Sequence, residues 1–341
     1  MGLEHRGLPR YVERGGEVVY CPPGVATGVR MYAFMLLGDV AQLRRMFHRY
    51  LNGPSGGAVE YEPAGPLVVL NFTTLDHVGA QIPPDAARGY FRESEVAIWT
   101  LGYDRVSEAY AAFVPYMIVD RGSAMAMGRE VYGFPKQLGV LEMPGRDERP
   151  DEFALSVYGV REWGPNERFQ SHRLIRIRQT DSAARMPSHD FASQEHLVRR
   201  MADLARADPD LAGAAGGGDA AQDIDHAARA VELLAAETLP MVFLKQIRDA
   251  RTPLLACYQA IQTADFVVTN YRGAGHLPGR YTIDIEHLVN EPIRRDLGLP
   301  DGPLTPVGAF WVDFDFVLTV ADEVWRAQVP PSVQVRRGAG R

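Results

Sequence analysis

Lysine is nearly absent from the sequence, which contains only Lys136 and Lys245 among its 341 residues. Arginine therefore supplies nearly all of the 36 basic residues, and these are outnumbered by 43 acidic residues to give a net charge of -7. No overall positive field attracts a phosphate backbone, so nucleic acid is not an expected partner.

Cysteine and long apolar runs are also scarce. Cys21 and Cys257 are the only cysteines, and neither stands in a CxxC or Cys/His cluster with metal-ligand spacing. The first ten residues lack the apolar segment of a signal peptide, and no apolar run is long enough to cross a bilayer. We expect a cytoplasmic protein with no membrane partner, metal or cofactor.

No Gly-rich phosphate-binding loop follows a strand-like segment, and long helices do not alternate with the strands. Strand patterns recur between Gly and Pro turns instead, which favours a mainly β fold, either an antiparallel barrel or an antiparallel sandwich. The predicted strands are 29–37, 67–72, 93–101, 116–120, 153–160, 241–247, 258–262, 264–271 and 314–320.

Helical patterns occupy two regions. Asp39 is an N-cap candidate for a short helix over 40–51. A second region, at about 186–238, contains two amphipathic segments on either side of an Ala/Gly-rich stretch, and we interpret it as a helical insertion. We expect this insertion to be either a lid on the barrel or plain surface decoration. The rest of 1–335 is predicted to be a single domain, followed by a frayed tail at 336–341.

Lys136 stands in the most informative segment, directly after the turn at 133–135. A buried amine can lose its proton at neutral pH, whereas a guanidinium cannot. Phe134 and Leu138 supply apolar neighbours that favour burial of Lys136, although a lysine after such a turn is more often exposed to solvent.

Residues 128–139, with the pattern GRExxxFPKxLG, resemble the active-site segment of acetoacetate decarboxylases and their wider superfamily. The resemblance implies an antiparallel β-barrel or cone with peripheral helices, homo-oligomers, and a Schiff base formed by Lys136. It also implies that Arg30 binds a substrate carboxylate and that Glu93 supports Arg30. The alternative is that Arg30 is an ordinary edge arginine and Glu93 a solvated residue at a strand end. For Glu93 this alternative stays open because Glu95, two residues further on, lies on the same face of the strand.

Further substrate contacts are expected from Asn71, Tyr132, Phe134 and Gln137. Two of these depart from the decarboxylases, because Gln137 replaces a second lysine and Asn71 replaces a glutamate. Without a neighbouring cation, burial alone has to lower the pKa of Lys136. An amide cannot transfer protons as a carboxylate does, which puts decarboxylation of acetoacetate in doubt.

The leading hypothesis is a Schiff-base lyase acting on a small β-keto or 2-oxo acid, by decarboxylation or by aldol condensation and dehydration as in natural-product (secondary) metabolism. A non-catalytic barrel that binds small molecules is the alternative. A metal-dependent hydrolase, suggested only by His77, His276 and His287, is a third possibility that their spacing does not favour.

Overall fold

The computed structural model describes residues 11–12, 19–181, 189–193, 195–197, 199–200 and 238–328. Twelve strands account for most of these residues. They are β1 (Gly24–Leu37), β2 (Tyr61–Ala80), β3 (Phe91–Asp104), β4 (Ala109–Val119), β5 (Lys136–Glu142), β6 (Glu152–Gly159), β7 (Gln170–Gln179), β8 (Thr238–Arg248), β9 (Ala256–His276), β10 (Tyr281–Ile285), β11 (Gly308–Leu318) and β12 (Asp322–Arg326).

Helices are short and few in the described part of the chain. Besides the helical residues 195–197 and 199–200, they are α1 (Val40–Phe47), α2 (Gly53–Ser55), α3 (Gly122–Met127) and α4 (Ile293–Leu297), with π-helical turns at His48–Asn52 and Gly128–Tyr132 and a 3-10 turn at Asp85–Ala87. Asp39 caps α1 as predicted, because its carboxylate accepts a hydrogen bond from the backbone N–H of Gln42 at 2.7 Å. The helix ends at Phe47, where the π-helical turn begins.

All twelve strands belong to one mixed sheet. Its order is β10-β7-β6-β5-β4-β3-β2-β1-β11-β9-β12, and β8 pairs with both β4 and β9. The expectation of an antiparallel sheet is wrong for β4, which runs parallel to β5 and β8. Between β4 and β5 the chain passes through α3, and a crossover of this kind is what returns a strand in the same direction.

The two faces of the sheet bury different apolar clusters. On β1, Tyr32 and Phe34 point to one face, where both pack edge-on against the fully buried Phe153 at 5.1 and 5.3 Å between ring centroids. Val29 and Met35 point to the other face and join a second cluster. This alternation follows from the two-residue period of a strand, and it leaves one face of β1 free to build a cavity.

The predicted strands correspond to β1, β2, β3, β4, β6, β8, β9 and β11, with 258–262 and 264–271 joined in the single strand β9. The strands β5, β7, β10 and β12 were not predicted. Most of the predicted insertion and all of the tail at 336–341 lie outside the described residues, although 195–197 and 199–200 are helical. Within the described residues, no helix has the length and apolarity to cross a membrane.

Replacing Phe153 by Ala is expected to destabilise the fold by about 3–5 kcal/mol, because the lost ring leaves a cavity among Tyr32, Phe34 and Phe72. Tyr158, on the same strand, is 71% exposed, and its replacement by Ala should change stability by less than about 0.5 kcal/mol. Denaturant unfolding of both variants measures the difference, and equal losses would contradict the assignment of the core.

Candidate active site

Lys136 is the first residue of β5, opposite Met117 of the parallel strand β4. The π-helical turn Gly128–Tyr132 precedes it and closes with hydrogen bonds from the backbone N–H groups of Gly133 and Phe134 to the Gly128 carbonyl, at 2.9 and 3.0 Å. Gly133 adopts φ +93°, a region that favours glycine. The turn directs the Lys136 side chain inward, so that the residue is only 5% exposed.

Gly128 makes room for the lysine side chain. A methyl group at this position would lie 2.5 Å from Cδ and 3.0 Å from Cε of Lys136. Gly128, which belongs to the segment that resembles the acetoacetate decarboxylases, therefore also has a steric role in this structure.

Two carboxylates of β3 surround the Lys136 amine. Its Nζ donates a hydrogen bond to Glu93 Oε1 at 2.6 Å and lies 3.8 Å from Glu95 Oε2. Glu93 is 3% exposed, so the alternative of a solvated strand end does not hold. The two residues share a face because they are two positions apart on β3.

Burial and mutual repulsion set the protonation of this group. Desolvation, with the Glu93 charge beside it, raises the pKa of Glu95 from its ordinary value of 4.5 to about 8. Burial by itself lowers the pKa of Lys136, but Glu93 and Glu95 together outweigh that effect, and the pKa is raised. The expectation that burial leaves Lys136 with a lowered pKa is therefore wrong.

Asn71 and Thr73 extend the polar group along β2. The Asn71 amide donates to Thr73 Oγ1 at 2.8 Å, and its oxygen accepts from the Trp99 indole at 3.0 Å. In the register of β2 and β3, Thr73 lies opposite Glu95. The amide is thereby fixed in orientation next to the carboxylates.

These residues line a cavity of about 250 Å³. Tyr132 and Phe134 form part of its wall, and the Phe134 ring centroid lies 5.7 Å from Lys136 Nζ. The side of the cavity formed by β8, β9 and β11 is mainly apolar, with Leu239, Met241, Phe266, Val268, Val312, Phe314, Phe316 and Leu318. Of the predicted insertion, Leu197 also contacts the cavity.

Arg30 does not line the cavity, and this corrects its predicted role of binding a substrate carboxylate there. Its neighbours Val29 and Met31 face the cavity, so Arg30 points to the opposite face of β1. There the guanidinium binds both carboxylate oxygens of Asp313 at 2.5 and 2.6 Å and lies over the Trp311 ring. Glu93, expected to support Arg30, binds Lys136 instead.

Gln137 also points away from the cavity, because it alternates with Lys136 on β5. On that side lies the carboxylate of Glu291, which is 2% exposed, and burial raises the pKa of this carboxylate although Gln137 acts in the opposite direction. This placement corrects its predicted role as a substrate contact. Asn71, Tyr132, Phe134, Glu93 and Lys136, by contrast, meet at the cavity.

Sequence reasoning missed Thr73 and Trp99, and it treated Glu95 only as a competitor of Glu93. The signal for Glu95 was its shared face with Glu93. Among the described residues, no group of histidines, cysteines and carboxylates has a geometry that holds a metal ion. His77 instead stacks on Tyr90, and His276 hydrogen-bonds Asp190.

A mixed sheet that encloses a lysine-containing cavity defines the class of fold, and comparison with solved structures identifies it as that of the acetoacetate decarboxylase-like enzymes. The similarity predicted from residues 128–139 is confirmed at this level. No family model and no curated protein matches the sequence.

Three of the similar structures show how far the likeness extends. Acetoacetate decarboxylase from Legionella pneumophila superposes with a TM-score of 0.58 at 13% identity over 95% of this chain and 94% of that chain. The enduracididine biosynthesis enzyme MppR complexed with pyruvate gives 0.53 at 14%, over 91% and 93%. An acetoacetate decarboxylase-like enzyme from Sphingomonas wittichii gives 0.51 at 12%, over 89% and 94%.

Replacing Gly128 by Ala is expected to destabilise the protein by about 1–3 kcal/mol, since the added methyl group overlaps the Lys136 side chain. Gly122, at the start of α3, is the matched control, because a methyl group there meets no atom within 4 Å. Thermal unfolding compares the two variants. Equal melting temperatures would contradict the close packing of Gly128 on Lys136.

The raised pKa of Glu95 predicts a pH-dependent loss of stability. Between pH 4.5 and about 8 the folded protein retains a proton that the unfolded chain has lost, so this residue lowers the free energy of unfolding as the pH rises. Glu95→Gln should remove this fall, and its melting temperature relative to the unmodified protein should increase from pH 5 to pH 8. A difference that is constant with pH would rule out the raised pKa.

Proposed function

We propose that Lys136 forms a Schiff base with a small carbonyl compound and that the protein is a carbon–carbon lyase. The observation that carries this proposal is a buried amine in an apolar cavity, with a proton acceptor 2.6 Å away at Glu93 Oε1. An iminium withdraws electrons from the neighbouring carbon far better than a carbonyl, which promotes cleavage or formation of the next bond.

A protonated amine is not a nucleophile, and Glu93 is the base that removes its proton. In the hydrogen bond from Lys136 Nζ, the proton passes to Glu93 Oε1 and leaves a neutral amine beside a neutral carboxyl group. In a cavity of low polarity, this neutral pair is less costly than it is in water. The amine then attacks the carbonyl carbon to give a carbinolamine.

Glu95 supplies the acid for the next step. Its pKa of about 8 keeps it protonated at neutral pH, and its Oε2 lies 3.8 Å from Lys136 Nζ. Protonation of the carbinolamine hydroxyl allows water to leave, and the iminium forms. Asn71 fixes the position of oxygen atoms by hydrogen bonding but does not transfer protons.

Two reaction classes use such an iminium. Loss of carbon dioxide requires a substrate carboxylate next to the activated position, whereas aldol chemistry requires an enamine and an aldehyde. Among the similar structures, one is acetoacetate decarboxylase and another is the biosynthetic enzyme MppR with pyruvate bound. Arg30, the residue predicted to hold a carboxylate, does not reach the cavity, and this favours the aldol class here.

A cavity that binds small molecules without turnover is the second candidate. The raised pKa of Lys136 favours it, because Glu93, together with Glu95 when that residue is ionised, holds the amine in its charged form. In that case, Lys136→Ala binds the ligand with nearly unchanged affinity, whereas the proposed lyase loses all turnover with this change.

Borohydride trapping tests the Schiff base, and the two-lysine sequence makes the result unambiguous. We expect incubation with a panel of ketones, aldehydes and oxo acids, followed by reduction, to raise the mass of the Lys136 peptide. Lys136→Arg should abolish the adduct, and Lys245→Arg is the matched control, because Lys245 lies outside the cavity and donates to the Val131 carbonyl. Unchanged mass with every carbonyl, or an adduct on Lys245, would refute the proposal.

A further inference from the structure

We infer that the carbonyl compound accepted by this cavity is an uncharged ketone or aldehyde with an apolar body, rather than an oxo acid. The inference rests on the proposed function and adds the substrate class. Its basis is the charge and lining of the cavity around Lys136.

The charges of the cavity leave no cation for a carboxylate to bind. Lys136 is the only cationic residue among the described residues that line it, and Glu93 and Glu95 face the same amine at 2.6 and 3.8 Å. With both carboxylates ionised the group has a net charge of about -1, and with Glu95 protonated it is neutral. An anionic substrate is therefore repelled when both carboxylates are ionised. When Glu95 is protonated, the substrate has no free cationic partner among these residues.

The nearest arginine on β1 is already paired elsewhere. Arg30 points to the opposite face of the strand and binds Asp313, which also accepts a hydrogen bond from Arg146 at 3.0 Å. Moving Arg30 into the cavity would break a bidentate ion pair and bury an arginine among apolar side chains, both of which are costly.

The apolar wall matches a hydrocarbon body. The strands β8, β9 and β11 contribute no charged residue to the lining, and their apolar residues there include Met241, Phe266, Phe314 and Leu318. The two tyrosines of the lining have their hydroxyls engaged, because Tyr132 donates to the Leu318 carbonyl at 3.2 Å and Tyr271 to the Phe191 carbonyl at 2.9 Å. A buried carboxylate on this side has no donor of sufficient strength to replace water.

Such a substrate has no carboxylate to lose, so the chemistry is aldol cleavage and its reverse. In a β-hydroxy ketone bound as the iminium, a carboxylate accepts the hydroxyl proton, and the bond between the α and β carbons breaks. The β carbon departs as an aldehyde, and the electron pair forms an enamine on Lys136. Protonation of the enamine at the α carbon and addition of water then release a ketone and restore the amine.

A matched pair of ligands tests the inference. Levulinate and methyl isoamyl ketone share the same methyl ketone chain, but an isopropyl group in the ketone replaces the carboxylate of the acid. We expect borohydride trapping at Lys136 to reach half its maximum at a ketone concentration at least about tenfold lower than for levulinate. The benzaldehyde–acetone aldol should also release benzaldehyde, and Lys136→Arg should not release it.

The possible outcomes separate the two proposals. If levulinate, pyruvate or acetoacetate traps as well as the ketone or better, the inference is overturned and the Schiff base stands. If no carbonyl traps, the proposed function fails, and calorimetric binding of the matched pair decides the inference. Preference for the ketone then supports the inference, and equal or tighter binding of levulinate overturns it.

Met31 offers a variant that reverses the preference. It lines the cavity and is only partly buried, so a lysine of similar length can replace it. Met31→Lys is expected to favour levulinate over the ketone in binding, and Met31→Leu, the matched control, should retain the ketone preference. A Met31→Lys variant that folds but retains the ketone preference would show that charge does not decide selectivity and would overturn the inference.

Discussion

The hydrogen bond between Lys136 and Glu93 is the interaction on which the proposed chemistry depends. Two charges buried this deeply are tolerated only because each is the partner of the other, and removal of either leaves an unpaired charge in an apolar cavity. Glu95 adds a third ionisable group whose proton is retained near neutral pH. In the proposed chemistry, the amine therefore becomes reactive by passing its proton to Glu93, and a lowered pKa is not the basis of that reactivity.

The crossover between the parallel strands β4 and β5 places Lys136 next to Glu93. The chain leaves β4, passes through α3 and a π-helical turn, and begins β5 parallel to β4. Antiparallel hairpins bring residues that are close in the sequence into contact. This crossover instead brings Lys136 into contact with Glu93 of β3, which lies 43 residues earlier in the sequence. The absence of side-chain atoms at Gly128 then provides the space for the lysine side chain.

Much of the mainly β fold was predictable, because strands such as β2 and β11 have long runs of β-favouring residues. The strand β7 was missed since arginines interrupt its apolar positions, and β10 has only five residues. Parallel pairing of β4 depends on the crossover and has no local signal. The scarcity of lysine, together with the similarity of residues 128–139 to a known family, was enough to find Lys136.

Arg30 shows why part of the site was beyond prediction. The β1 register shifts between Ala26 and Val29, around Gly28 with φ +65°, and both Ala26 and Val29 face the cavity. Alternation alone assigns these two residues to opposite faces, so a bulge that the sequence does not specify decides where Arg30 points. The same limit applies to Glu93, whose partner is set by the packing of β5 on β3.

The ionisation of Glu95 also bears on how long a covalent adduct would persist. An iminium on Lys136 retains one N–H proton, and it is a cation for as long as that proton stays on the nitrogen. Once the pH exceeds about 8, it lies between two carboxylates instead of one. The second anion lowers the electrophilicity of the iminium carbon and slows its attack by water. Under the proposed chemistry, we therefore expect the adduct to be hydrolysed more slowly in alkaline solution, so that the adduct accumulates.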